Sequence, residues 1–252
     1  MKTTDHTTLL LKNKVAIVTG AGRGIGRAIA LAYAQAGAAV CCAARTQLEI
    51  DETVGQIEAS GGIGLAVQAD VTQPDTMRQM VAATQEHFGG VDILVVNAGV
   101  NLDRNSVAES NLADWQGTLD INLTGAYNTV QAAIPALRAR GGGKIIMIGS
   151  GMGHNGRKNS AAYCCSKAGL WMLTRVLGQE LWPDKISVNE LVPGPVNTSI
   201  QDEEFKWEDS VFSIDGEWVK TPDKVAPMAL FLASQPLIGP TAQSFSLMRR
   251  DG

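Results

Sequence analysis

At 252 residues, with 45% hydrophobic and 18% charged side chains, the chain can bury one sizeable core and has an ordinary globular balance. Its 21 basic and 25 acidic residues leave a net charge of -4, which argues against a nucleic-acid partner or an anionic membrane surface. The only apolar run between Met1 and Lys14 is Leu9-Leu10-Leu11, too short for a signal peptide or a membrane span, so a cytoplasmic protein is expected.

Val15-Ala16-Ile17-Val18 is a short apolar, β-branched run and reads as a buried strand. It leads into Thr19-Gly20-Ala21-Gly22-Arg23-Gly24-Ile25-Gly26. Ile25, Ile29, Ala32, Tyr33 and Ala36 then recur at helical spacing, so a helix opens at the glycines. Strand, glycine turn and helix together make a site for a phosphate: the first N–H groups of the helix are free, its dipole favours an anion, and glycines let the backbone approach closely. After Gly37-Ala38 a second strand spans 39–44, with Arg45 at its end. Cys41-Cys42 fall inside it as small hydrophobes.

A helix is expected over 47–59 and a third strand over 64–69, ended by Asp70-Val71. Thr72-Gln73-Pro74-Asp75 reads as a helix start, with Thr72 as cap and a proline in the first turn. Met77, Met80, Val81 and Phe88 give that helix one apolar face, and Gly89-Gly90 stop it. A fourth strand over 91–96 leads into Asn97-Ala98-Gly99. One long helical region over 112–138 carries Asn122. A fifth strand over 144–148 ends at Gly149-Ser150, and a polar, glycine-rich loop over 151–160 follows. The next helix, 161–182, holds Tyr163 and Lys167 one turn apart on a shared face, with Cys164-Cys165 beside them. A sixth strand over 186–192 is broken by Pro193-Gly194-Pro195. Residues 196–218, polar and acidic with Phe205, Trp207 and Phe212, read as a lid over the substrate. A helix over 223–233 and a strand over 243–247 complete the chain.

Strand–helix alternation with short connections implies an α/β fold, a doubly wound, mostly parallel Rossmann-type sheet of roughly seven strands with helices on both faces, as a single domain over 1–252. Ligands bind at the carboxyl ends of such strands, where the glycine turn, Arg45, Asp70 and Asn97–Gly99 all lie. No metal site is expected, because the four cysteines form two adjacent pairs without ligand spacing.

Thr19-Gly20-x-x-x-Gly24-x-Gly26, Asp70, Asn97-Ala98-Gly99, Asn122, Ser150, Tyr163-x-x-x-Lys167, Pro193-Gly194 and Thr198 occur together and in this order. With them the chain resembles the short-chain dehydrogenase/reductase family over almost its whole length. The resemblance implies hydride transfer between a nicotinamide and an alcohol or ketone. Tyr163 would exchange the proton, and Lys167 would lower the phenol's pKa and bond the nicotinamide ribose. Ser150 would orient the carbonyl, and Asn122 would hold a relay water. The cofactor would lie against Thr19, Gly20, Gly22, Arg23, Gly24, Ile25, Gly26, Arg45, Asp70, Val71, Asn97, Ala98, Gly99, Tyr163, Lys167, Pro193, Gly194, Val196 and Thr198. Members that prefer NAD carry an acid at the end of the second strand. Here Ala44 and Arg45 stand there, with Arg23 nearby, so NADP is expected, with NAD as the alternative.

Substrate choice is expected to fall to Ser150, Met152, His154 and Tyr163, the 101–105 loop and the lid. A small carbonyl compound or sugar-like polyol is the expected substrate. The alternative is a 3-oxoacyl carrier-protein reductase, against which Gln179 stands before Glu180 where those enzymes carry an arginine. A non-catalytic dinucleotide sensor is a further rival, disfavoured because both Tyr163 and Lys167 are present. The helix over 161–182 is apolar nearly all round, and in the family it forms a subunit contact with the helix carrying Asn122; a homodimer or homotetramer is expected.

Overall fold

The computed structural model describes residues 9–198 and 217–248. Most of the expected lid, including Phe205, Trp207 and Phe212, therefore lies outside the described residues. Seven strands form one parallel sheet: β1 (Val15–Thr19), β2 (Ala39–Ala44), β3 (Ile63–Gln68), β4 (Ile93–Val96), β5 (Gly143–Ile148), β6 (Ile186–Val192) and β7 (Ser244–Ser246). Their order is β3-β2-β1-β4-β5-β6-β7, the doubly wound arrangement. The order reverses between β1 and β4, so the loops after these two strands diverge and open a crevice at the sheet's carboxyl edge.

The helices are α1 (Gly24–Gln35), α2 (Gln47–Ala59), α3 (Pro74–Phe88), α4 (Leu112–Leu119), α5 (Gly125–Ala139), α6 (Met152–Asn155), α7 (Ala161–Glu180) and α8 (Ala226–Ser234). Central strands are buried on both faces, which is why they read as unbroken apolar runs. One face packs Ala16, Val18 and Val40 against Ile29 and Tyr33 of α1 and Ala229 of α8. The other packs Ile17, Leu94 and Ile145 against Met77 and Met80 of α3, Val130 and Leu137 of α5, and Leu170 and Leu177 of α7.

Several boundaries differ from the sequence reading, each for a local reason. Thr72 does not cap α3. Gln73 holds the cap position, Pro74 opens the helix, and the Thr72 backbone N–H and hydroxyl both donate to Asp70 Oδ1 at 2.9 Å, closing a turn before it. The expected single helix over 112–138 is two helices joined by a π-helical turn, Asp120–Thr124, where Gly125 N–H reaches back five residues to Asp120 O. The expected loop after Ser150 contains the short α6. α7 stops at Glu180 because Pro183 forces the tighter turn Trp182–Asp184. The last helix is likewise divided into a turn, Pro222–Lys224, and α8, whose first turn carries Pro227. β3 starts one residue earlier than expected and is only half-buried, as an edge strand.

Candidate active site

The cleft begins at the turn between β1 and α1. Gly20 has φ +65°, and a Cβ there would lie 2.8 Å from Asn97 Nδ2. A Cβ on Gly26 would overlap Gly20 O, so the helix can start this close to the strand only with hydrogen at that position. The first turn of α1 has neither a side-chain cap nor an acidic residue. Its leading N–H groups and the positive end of its dipole thus lie uncapped at the cleft, with the Glu49 carboxylate beside them against Gly22. Thr19 and Asn97 hold the turn. Asn97 Nδ2 donates to Thr19 O at 2.9 Å and to Gly20 O at 3.2 Å, while Thr19 Oγ1 accepts from Asn97 N at 3.0 Å.

From there the cleft runs along the carboxyl ends of β1, β2, β4, β5 and β6. At one end its walls include Arg23, Arg45, Glu49, Asp70 and Val71; at the other they include Ser150, Met152, Arg157, Tyr163, Lys167, Pro193 and Met248. Gly22, Gly24, Ile25, Ala98, Gly99, Gly194, Val196 and Thr198 also line it, so the residues expected to hold the cofactor share one cleft, except Gly26, which forms the close helix–strand approach behind it. Sequence reasoning overlooked Glu49, whose carboxylate lies 4.0 Å from Arg23 in the first turn of α2. It also overlooked Arg157 and Met248, which no local pattern distinguishes and which only the packing of the α6–α7 loop and of the segment after β7 brings to the cleft.

Tyr163 and Lys167 occupy the first two turns of α7, on the face turned to the cleft. Lys167 is buried, and its Nζ donates to Ile148 O at 2.8 Å and lies 5.8 Å from the centre of the Tyr163 ring. Burial lowers its pKa to about 8, opposed by the negative charge of Glu190. Burial raises the pKa of Tyr163, and a hydrogen bond with the Ser150 side chain acts in the lowering direction. Ser150 Oγ also accepts from Met152 N at 3.2 Å, which ties the serine to α6.

Two expected residues sit elsewhere. Asn122, in the π-helical turn, lies behind the cleft wall. Its Nδ2 donates to Val100 O at 2.9 Å and to Ser166 Oγ at 3.0 Å, and its Oδ1 accepts from Val100 N at 2.8 Å. Both amide hydrogens are spent on bracing the β4 exit loop to α7, so a water there has only the remaining lone pair of Oδ1. His154, expected to touch substrate, does not line the cleft. Its Nε2 lies 3.1 and 3.0 Å from the two carboxylate oxygens of Glu190, which is wholly buried in β6. The cause is position: His154 is on the far side of α6 from Met152, facing the sheet.

Comparison with known proteins agrees with this geometry. The short chain dehydrogenase family model matches residues 14–209. A 3-oxoacyl-[acyl-carrier-protein] reductase of Synechocystis is 35% identical over 239 residues, covering 94% of this chain and 96% of that one. A reductase of the same name from Staphylococcus epidermidis is 37% identical over 183 residues, covering 72% and 75%. The crystal structure of a short-chain type dehydrogenase/reductase from Mycobacterium marinum superposes with a TM-score of 0.88 at 34% identity, covering 95% of each chain. The chain belongs to the short-chain dehydrogenase/reductase family, oxidoreductases that use a nicotinamide cofactor.

Proposed function

We propose that this protein interconverts a secondary alcohol and a ketone with NADP, using Tyr163 as the acid/base. The observation that carries the reading is the meeting of Ser150, Tyr163 and Lys167 at one end of a cleft whose other end is an uncapped helix start. The cleft fits a dinucleotide: the glycine turn leaves room for a pyrophosphate, and the free N–H groups of α1 want an anion. Thr19, Gly20, Gly22, Gly24 and Ile25 would hold the phosphates, Asp70 and Val71 the adenine, and Asn97–Gly99, Pro193, Gly194, Val196 and Thr198 the nicotinamide half. When bound, the nicotinamide supplies or takes up the hydride. The chain does the rest. Ser150 orients the oxygen of the substrate, and the Tyr163 hydroxyl gives that oxygen a proton or takes one away. Lys167 has two N–H donors left beyond its bond to Ile148, enough to grip the ribose and set the local charge. Asn122 keeps α7 in register with the loop after β4.

NADP is favoured over NAD because no acid follows β2 and Arg23 and Arg45 both line that end of the cleft. Glu49, with its carboxylate 4.0 Å from Arg23, offsets that arginine's charge, so the reading rests on the missing acid after β2 and on Arg45 more than on Arg23. The substrate is read as a small carbonyl compound or sugar-like polyol. Arg157 also lines the cleft, and its positive charge favours members of that class bearing a carboxylate or phosphate. The second reading, a 3-oxoacyl carrier-protein reductase, is favoured by the names of the two relatives. We read the protein as cytoplasmic: no helix among the described residues is long and apolar enough to cross a membrane, and Cys41 and Cys42 are buried free thiols.

The test is a screen of ketones and alcohols, charged and neutral, with both cofactors and with an acetoacetyl thioester, on wild type and Tyr163→Phe. Expected are turnover with a lower KM for NADPH than for NADH, and a loss of about a thousandfold or more in kcat in the variant. Near-normal turnover by Tyr163→Phe sinks the acid/base assignment.

A further inference from the structure

Beneath the cleft is a buried acid that the reading above does not use. Glu190 sits in the middle of β6, fully buried, between Met147 of β5 and Ser244 of β7. A carboxylate there would be costly without partners. Two neighbours supply them: Ser244 Oγ donates to Oε2, and His154 Nε2 faces both oxygens. An ionised carboxylate only accepts, so Nε2 carries the hydrogen.

The surrounding backbone is shaped to this pair. A Cβ on Gly149 would overlap the Glu190 carboxylate, so the residue before Ser150 lies directly on the acid. A Cβ on Gly153 would fall 2.7 Å from the Lys167 carbonyl carbon and 2.9 Å from Ala168 N, so α6 rests on the backbone of α7 at Lys167 itself. α6 is only four residues long and cannot hold its own position by helix formation. Its ends are instead held by Ser150 at Met152 N and by Glu190 at His154.

We propose that Glu190 and His154 are positioning residues: a buried carboxylate–imidazole pair that pins α6, and with it Ser150 and Met152, against the sheet and sets negative charge behind Lys167. The proposal rests on the roles given above to Ser150 and Lys167, but the pair itself does not. The ionisable groups around Glu190 are His154 from α6 and Lys167 from α7, with Arg175 farther along α7 over the Trp171 ring, 4.3 Å from its centre. β7 offers a hydroxyl, and the ionisable side chain of β5, Lys144, is bound at that strand's opposite end to Ser187. Glu190 raises the pKa of Lys167 against the lowering effect of burial, so removing its charge leaves the ammonium easier to deprotonate.

Trp171 gives a readout that needs no substrate. Its ring meets His154 edge-to-face with centroids 5.2 Å apart, so its emission reports where the imidazole sits. The emission of the purified protein at neutral pH, with Trp171→Phe identifying the Trp171 part, gives the reference. In Glu190→Gln the Trp171 emission should shift, because the imidazole loses the carboxylate that fixes it against the ring. His154→Gln should shift it too and lower kcat about as much as Glu190→Gln does; this second variant tests the pair should Glu190→Gln not fold. Turnover by Glu190→Gln should drop about tenfold in kcat with KM within about twofold, and its alkaline limb should move to lower pH. Unchanged Trp171 emission in Glu190→Gln, or unchanged emission and kcat in His154→Gln, overturns the pair whatever the substrate is. A shifted emission with unchanged kcat and pH profile overturns its role in positioning.

Discussion

Gly26 shows how little freedom single positions in this cleft have. Any Cβ there would collide with Gly20 O and approach Asn97 Nδ2 to 2.5 Å, both fixed by hydrogen bonds. Gly26→Ala is expected to cost on the order of 1–3 kcal/mol by overpacking and to weaken cofactor binding more than that, since the turn itself must move. Thermal unfolding and a NADPH fluorescence titration check the two effects separately. Lys167 makes a second prediction at this scale. Its pKa is lowered to about 8, so in the free enzyme the ammonium is present below that pH and lost above it. The ratio kcat/KM, which reports the free enzyme, should therefore fall with rising pH through about 8. An alkaline limb that survives in Lys167→Arg, a cation that does not titrate there, would assign the limb to another group.

At the scale of elements, the π-helical turn between α4 and α5 does the least expected work. A single helix over these residues would carry Asn122 through at ordinary pitch. The wider turn puts it at the junction of the β4 exit loop and α7, where one carboxamide satisfies both backbone groups of Val100 and the hydroxyl of Ser166. Such bulges gather at functional sites because they re-aim one side chain at little cost to the rest of the helix. Asn122→Ala leaves a buried N–H and C=O without partners. It is expected to cost about 1–3 kcal/mol per stranded group and to lower kcat through displacement of α7, measured by chemical denaturation alongside steady-state kinetics. Asn122→Asp, which keeps the acceptor and loses the donors, should fall between wild type and alanine in stability.

For the whole molecule, exposed apolar residues occur on several elements, α5 and α7 among them. Tyr127 on α5 is 50% exposed, and on α7 Met172 is 50% and Val176 41% exposed. The sequence expectation that α7 is covered on more than its sheet side needs something to lie over these residues, and a second copy of the chain is the natural candidate. Wild type is expected to sediment as a dimer or tetramer at micromolar concentration, and Met172→Glu to dissociate it. A monomeric wild type refutes the assembly.

What could be read from the chain alone was whatever depends on residues close in sequence. The order of strands and helices follows from local periodicity, and the sheet topology follows from short right-handed connections. The glycine turn, and Tyr163 with Lys167, are visible because each lies within one or two turns of backbone. Residues whose roles depend on what lies across the sheet were not visible. His154 looked like a cleft residue because it lies in the loop that follows Ser150; only folding shows that α6 turns its far side to β6, where Glu190 waits. Glu190 itself read as one more position in an apolar strand, and Arg157 and Met248 as loop and tail. Their partners are separated from them by tens of residues, and a contact of that kind has no period or spacing to announce it; it exists only once the sheet has brought distant segments to one edge.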